Sequence, residues 1–406
     1  MQRKNTGGGK KYLCFMGLSL LITLALPAQE KKADQEKGKG ITRNDIESGT
    51  YEGLVFTDVK GVRLRFNGFV QADGIFDLYD MSNKYGFQPS SITVPALHDA
   101  NTNFSIRQSR FSFTALGPTD SRGRSLKGIL EFDLWGNNNG NPRLRHAYIQ
   151  HGKWILGQTW SNFMDANIWP NIVDFWGPNG SILVRQPQAR FTQSFSKQYL
   201  LSFAIEQPNG DLTIPATWQK RTVLPDLTAG FQKNFGRDSA SHVRMGFVLH
   251  PLDYKNDVGD KNTTLGYAGN ISGSINLGGR DDVRFQSAFG TGYSRFSEGI
   301  AGQGYDAYAK GAKLEAVDMF SYWLFYDRYW NEKWGTAIGW SAVRLYDTEA
   351  IGPSALKYAT YAALSNSYYF TNYFKVALEL LYGQRKNVNG ESANNVRVQF
   401  TSFFRF

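Results

Sequence analysis

Cysteine is nearly absent from this 406-residue chain. The single Cys14 cannot form an internal disulfide, so stability must come from packing and hydrogen bonding. Long apolar runs are missing too: past residue 28 no stretch approaches the ~18 uninterrupted apolar residues of a spanning helix. Histidine is sparse. His98, His146, His151, His242 and His250 are scattered, with no H-E-x-x-H and no metal-ligand spacing. Nothing nominates a Ser–His pair with an orienting third group, so the chain does not read as an enzyme: no catalytic residue, no metal, no cofactor. Gly7-Gly8-Gly9-Lys10 has the wrong spacing for a phosphate loop, and the acidic turn Asp253, Asp257, Asp260 lacks the EF-hand pattern. The net charge of +10 is modest, Arg3, Lys4, Lys10 and Lys11 supply four of it, and no basic run joins a nucleic-acid motif. That argues against nucleic acid as a partner and leaves small anions open.

What is present is aromatic and alternating. Phe, Tyr and Trp number 29, 21 and 10 in an otherwise polar chain, which suits a barrel whose outer face alone is apolar. Residues 1–28 read as a secretory signal peptide, with a basic head, an apolar middle over Tyr12–Leu26, and Ala28 before the cleavage point. Most of that apolar stretch follows Cys14, which rules out a lipidation site there. Residues 29–58, mostly charged, small or polar, read as a flexible periplasmic lead-in. Residues 59–406 are short alternating runs divided by Gly, Asn, Asp and Pro. In the first run Val62, Leu64, Phe66, Gly68, Val70 and Ala72 oppose Arg63, Arg65, Asn67, Gln71 and Asp73. Val243, Met245, Phe247 and Leu249 oppose Arg244, and Leu378, Leu380 and Tyr382 oppose Lys375 and Glu379. Successive side chains of a strand point to opposite faces, so each run has one apolar side and one wet side.

A soluble sandwich turns the apolar side inward; a membrane barrel turns it outward. Runs such as Val62–Phe76 and Val317–Tyr329 exceed ordinary strand length and match tilted spanning strands. Aromatics gather at run ends (Tyr322, Trp323, Tyr326, Tyr329, Trp330, Trp334), as interfacial girdles do. The final run sets Val396, Val398, Phe400, Phe404 and Phe406 against Arg397, Gln399, Thr401 and Arg405. Ending on Phe406, it resembles the C-terminal signal read by the outer-membrane barrel assembly machinery. At about 22 residues per strand and connection, the chain past the lead-in makes about 16 strands, an even number as such barrels have. The fold expected is all-β: a transmembrane, antiparallel up-and-down β-barrel of about 16 strands, lodged in outer-membrane lipid around a water-filled lumen.

Six segments carry a family resemblance: Arg107-Gln108-Ser109-Arg110-Phe111, Gly117-Pro118-Thr119-Asp120, Leu144-Arg145-His146-Ala147-Tyr148, Gly157-Gln158-Thr159-Trp160-Ser161-Asn162-Phe163-Met164-Asp165, Asp174-Phe175-Trp176-Gly177-Pro178 and Arg185-Gln186-Pro187-Gln188-Ala189-Arg190. Together they resemble DcaP-like outer-membrane porins, densely over residues 104–192. The resemblance implies a 16-stranded barrel, assembly as a homotrimer, and passage of small anions, dicarboxylates among them. Some relatives carry a long N-terminal coiled coil. Gln29–Thr50 is too short and glycine-bearing for one, so a trimer would rest on barrel contacts.

Asn162–Ser181 is long, irregular and rich in Trp, Pro and Asn, and it falls where a fifth strand would end. It is the candidate constriction loop, folded into the lumen, with Trp160, Asp165 and Trp176 on or beside it. Arg107, Arg110, Arg145, Arg185 and Arg190, together with Arg143, flank it in sequence. With the other parity facing lipid, such charges must point into the lumen, because Arg at the bilayer midplane costs roughly 2–4 kcal/mol. Arg110 alternates with Ser112 and Thr114 against Phe111, Phe113 and Ala115, which sets it inward; at Arg107 the parity is broken. This set would concentrate anions and grip carboxylate or phosphate. Glu131 and Asp133 also point inward, so a ladder of structural Arg–carboxylate pairs is the competing role. The function expected is passive diffusion of small anionic solutes through a porin; the alternative is a structural or adhesive barrel with a closed lumen.

Overall fold

The computed structural model describes residues 54–59, 61–136 and 140–406, so the signal peptide and most of the lead-in lie outside the described residues. The barrel strands are β1 Val62–Asp77, β2 in two pieces Asn101–Ser105 and Arg110–Leu116, β3 Leu126–Asp133, β4 Arg143–His151, β5 Trp154–Trp160, β6 Arg185–Ser194, β7 Tyr199–Glu206 and β8 Asp226–Phe235. They continue as β9 Ser241–Lys255, β10 Lys261–Gly278, β11 Asp281–Thr291, β12 Asp318–Tyr329, β13 Trp334–Leu345, β14 Leu356–Tyr369, β15 Phe374–Asn387 and β16 Ser392–Arg405. Each is antiparallel to the next, and β16 returns to β1, with Arg405 opposite Phe69 and Arg397 opposite Asp77. The sheet closes at sixteen strands.

Alternation decides the faces. Phe247, Phe289, Leu324, Leu378 and Phe400 stand on the outer face, each more than half exposed, while Arg397 is fully buried inside. An apolar surface of that extent on a closed sheet is one that lipid tails cover. Trp330, Trp334, Phe370 and Tyr373 mark the short-turn, periplasmic end. At that end Phe406 and Gly68 exchange backbone hydrogen bonds of 3.1 and 3.0 Å, and the chain stops. The start of β1 is left without β16 beside it, and a further strand, Leu54–Val59, folds back on Val62–Phe66 to take that place. Those residues belong to the lead-in expected to be flexible; an otherwise open sheet edge makes them a strand.

Three connections fold inward: 78–100 after β1, 161–184 after β5, and 292–317 after β11. Only the second is expected from the sequence. Met81, Phe87 and Ile92 of the first, Phe163, Trp169 and Ile172 of the second, and Phe296 and Ile300 of the third are all buried. They pack on small or apolar wall residues, Ala337, Ala363 and Leu381 among them. Each large side chain so covered contributes roughly 1.5–3 kcal/mol. Along β9–β16 much of the barrel interior is therefore a packed core, while a cavity lies mainly against β1–β8 and is also lined by Arg244 of β9 and Arg405 of β16.

Candidate functional site: an arginine wall facing an inward loop

Two β-bulges build the wall. Ser105 pairs with Asp73 and Arg110 with Phe69, so five steps along β2 oppose four along β1. The extra residue flips the phase: Ser105 is buried inward before it, and Arg110, Ser112 and Thr114 after it. Ser109 fills the gap, its hydroxyl donating to Gln71 O (3.2 Å) and accepting from Gln71 N–H (3.0 Å). The bulged segment carries Arg107, whose guanidinium lies 3.9 Å over the Tyr85 ring. In β4, His146 pairs with Glu131 and Leu144 with Phe132, which makes Arg145 the extra residue. Arg143, Arg145 and His146 all turn inward as a result. Bulges next to functional sites re-aim side chains in this way.

The facing carboxylates come from β3. Arg145 is 2% exposed and reaches Glu131 at 2.8 Å and Asp133 at 3.0 Å. Arg143 reaches Asp133 at 2.7 Å, and Arg110 comes to 3.6 Å from Glu131. Those three arginines are matched by two carboxylates. Arg185 instead lies 4.8 Å over the Trp160 ring, with Arg145 at 5.5 Å from the same ring, so the indole is a shared platform for two cations. Arg190 donates to Gln188 Oε1 (2.8 Å) and to Trp160 O.

The loop 161–184 leaves β5 around a buried carboxylate. Glu206 accepts from Ser161 Oγ (2.6 Å), Asn162 N–H (2.7 Å), Thr228 Oγ1 (2.8 Å) and Gln186 Nε2. Further in, Asp165 Oδ2 bonds His242 Nε2 and Ser272 Oγ, both at 2.9 Å. Burial alone would raise the Asp165 carboxyl, but the His242 hydrogen bond and the charges of His242 and Arg244 hold it below the usual carboxylate range. Asn171 N–H donates to Asp327, Val173 and Asp174 N–H donate to Glu379 (2.8 and 3.0 Å), and Ile182 N–H donates to Gln286 (2.8 Å). Irregular backbone inside a barrel must find partners, and inward carboxylates and amides of the far wall supply them.

The residues nominated from the sequence fall into two levels. Arg110, Trp160, Asp165 and Arg190 line one cavity of about 390 Å³, on the periplasmic side of the loop. Toward the extracellular side stand Arg145 and Arg185 against Trp160, then Arg107 and Trp176. Trp176 meets Trp135 and Phe175 edge-on at 6.1 and 5.3 Å, and Trp135 stacks on Phe175 at 3.7 Å. Asp165 is 2% exposed, with its bonds turned to the wall, so it anchors the loop. Tyr85, Lys127, Trp135 and Arg244 also belong to these surroundings and are not nominated by the sequence. Arg244 carries the same alternation signal as Arg110, opposite Val243 and Met245, whereas no local pattern reveals the path of the loop holding Tyr85. Among the described residues no group of three His, Cys, Asp or Glu side chains is arranged to hold a metal ion.

A sequence model of the DcaP outer membrane protein family matches residues 44–406. The outer membrane channel DcaP of Acinetobacter baumannii is similar in fold, with a TM-score of 0.77 at 20% identity over 87% of this chain and 100% of that one. An anion-selective porin from Comamonas acidovorans gives 0.57 at 10% identity, over 85% and 100%. OmpT of Vibrio cholerae gives 0.53 at 12% identity, over 87% and 100%. No curated protein sequence matches the chain. A closed sixteen-stranded barrel with an apolar exterior and a lumen narrowed by the loop after its fifth strand is thus joined to a family match over almost all of its length: the chain belongs to the DcaP outer membrane protein family and is a porin channel of the bacterial outer membrane.

Proposed function

We propose that the channel passes small anionic solutes, dicarboxylates among them, by diffusion between the loop 161–184 and the arginine wall of β2–β6. The observation that carries this reading is an imbalance of charge. The cavity under the loop is lined by Arg65, Arg110, Lys127, Arg190, Arg244 and Arg405, against the carboxylates Glu131 and Asp165. Both carboxylates are already engaged, Glu131 by Arg145 and Asp165 by His242. A narrow passage with low-dielectric walls and that excess attracts anions and repels cations. The fold likeness to an anion-selective porin from Comamonas acidovorans points the same way. Planar-bilayer recordings under a salt gradient test it: the reversal potential should favour anions, and Arg110→Gln with Arg190→Gln should move it severalfold toward cations. An unmoved potential removes the selectivity. A folded protein that conducts nothing would instead favour a closed structural barrel, the reading that three buried loops leave standing.

We also infer a homotrimer built on the outer face of β1–β5. Strands β3, β5 and β7 have 8, 7 and 8 residues, short of the ~9–11 of a tilted spanning strand. Elsewhere in the wall β9, β10 and β14 have 15, 18 and 14. A wall that low needs protein beside it in place of lipid, and Leu64, Phe113, Leu130, Ile149 and Leu156 form an apolar groove on it.

A further inference from the structure

We infer that Arg190 and Arg244 form an anion-binding station on the periplasmic side of the loop 161–184, where a small oxyanion lodges after it has passed the constriction. The inference rests on the anion reading above and adds to it a saturable site below the arginine wall.

Two sets of inward arginines differ in what holds them. Arg110, Arg143, Arg145, Arg284, Arg295 and Arg397 each have a carboxylate within 4.0 Å. Arg190 and Arg244 spend their hydrogen bonds on neutral oxygens: Arg190 on Gln188 Oε1 and Trp160 O, Arg244 on Asn162 O (2.7 Å), Asn162 Oδ1 (3.0 Å) and Ser202 Oγ (3.4 Å). Two carboxylates lie within electrostatic reach, Glu206 of Arg190 and Asp165 of Arg244. Neither is available. Glu206 takes four hydrogen bonds from Ser161, Asn162, Gln186 and Thr228, and Asp165 is held by His242 and Ser272. Arg190 and Arg244 lie within electrostatic reach of each other and line the same cavity.

The site is built in advance of any solute. Arg190 and Arg244 are tied to the carbonyls of Trp160 and Asn162, the residues on either side of the loop's first turn, so their guanidiniums are fixed while parts of their donor sets stay unused; the Nε of Arg244 is buried without a partner. Gly230, facing the lumen on β8, leaves the space that the Arg244 guanidinium fills, and a Cβ there would overlap it. Holding two guanidiniums around one partly desolvated space is unfavourable unless an anion completes the set. At about 390 Å³ the cavity has the size of a small-molecule site. Preorganised donors of this kind favour carboxylate and phosphate oxygens over chloride. Conduction also gains from a second foothold, since a solute must be held well enough to enter and loosely enough to leave.

The test uses inorganic phosphate as probe. Single-channel chloride current through the full-length wild-type protein in planar bilayers should fall saturably as phosphate is added from the periplasmic side. Arg190→Gln and Arg244→Gln should each raise the half-saturating concentration about tenfold or more, the loss of one charge-assisted grip. Arg244→Lys should restore much of the effect. Arg190→Gln leaves the four hydrogen bonds of Glu206 at the start of the loop in place, so it carries the test even if Arg244→Gln fails to insert. A current that falls linearly with phosphate, or half-saturation that neither variant shifts, overturns the station. A wild-type reversal potential that does not favour anions would instead overturn the anion reading, and the two failures are read from separate measurements.

Discussion

Glu379 on β15 should be the principal clamp on the middle of the constriction loop. Its two carboxylate oxygens accept from consecutive backbone groups, Val173 N–H at 2.8 Å and Asp174 N–H at 3.0 Å, and the residue is fully buried. Glu379→Gln keeps one acceptor oxygen and turns an NH₂ toward the other N–H. One charge-assisted bond is then lost and its buried donor left unsatisfied, about 2–4 kcal/mol for the pair. The ends of the loop keep their own anchors at Glu206 and Gln286, so the barrel should still fold and only the middle of the loop should open more often. At 1.4 kcal/mol per factor of ten, the opening equilibrium should rise by about 30- to 700-fold. Hydrogen–deuterium exchange followed by mass spectrometry on the protein in lipid nanodiscs reads this directly, as faster exchange over residues 171–175 with the strands unchanged. Single-channel conductance should rise with it. Wild-type exchange at 171–175 in the variant would refute the clamp, because Glu379 accepts from the N–H groups of both Val173 and Asp174.

The Asp165–His242 anchor should respond to acid. Because the Asp165 carboxyl sits below its unfolded value of about 4, the stability it lends is complete above that pH and is lost as pH falls through the lower, folded value. Thermal melts in detergent should therefore decline on acidification below about pH 4, and Asp165→Asn should flatten that limb; parallel curves for the two proteins would count against the anchor. For the assembly, Leu130→Arg combined with Ile149→Arg on the outer face should leave monomers on native gels and in light scattering, whereas intact trimers would place the contact elsewhere.

Period-two alternation made most of the barrel legible. Arg110, Arg244, Glu379 and Arg397 each face inward as their neighbours' polarity requires, because an unbroken ladder gives every side chain a definite face. Where the ladder slips by one residue, that inference stops. The bulges at 106–109 and at Arg145 reverse the phase, so Arg107 cannot be placed by counting from Arg110, and Arg145 and His146 share a side although they are adjacent. The candidate constriction loop stood out through its length and composition, but its course depends on partners such as Glu379, more than two hundred residues away in the chain. The inward course of 78–100 and 292–317 is set in the same way. Phe87 meets Tyr361 of β14, and Ser90 and Gln88 bond Gly299 O of the third inward loop, contacts that no local window contains.

Because the sheet is completed by joining β16 to β1, the first and last barrel strands share one seam, with Asp77 clasping Arg397 and Gly68 zipped to Phe406. A polypeptide released before its last strand would present two raw margins, β1 and β15, each a row of unmet amides and carbonyls facing hydrocarbon, where nothing can solvate them. Stable residence in the bilayer is thereby conditional on finishing synthesis. Truncated products would be left outside the membrane, within reach of periplasmic proteases, and the fold itself screens for full length.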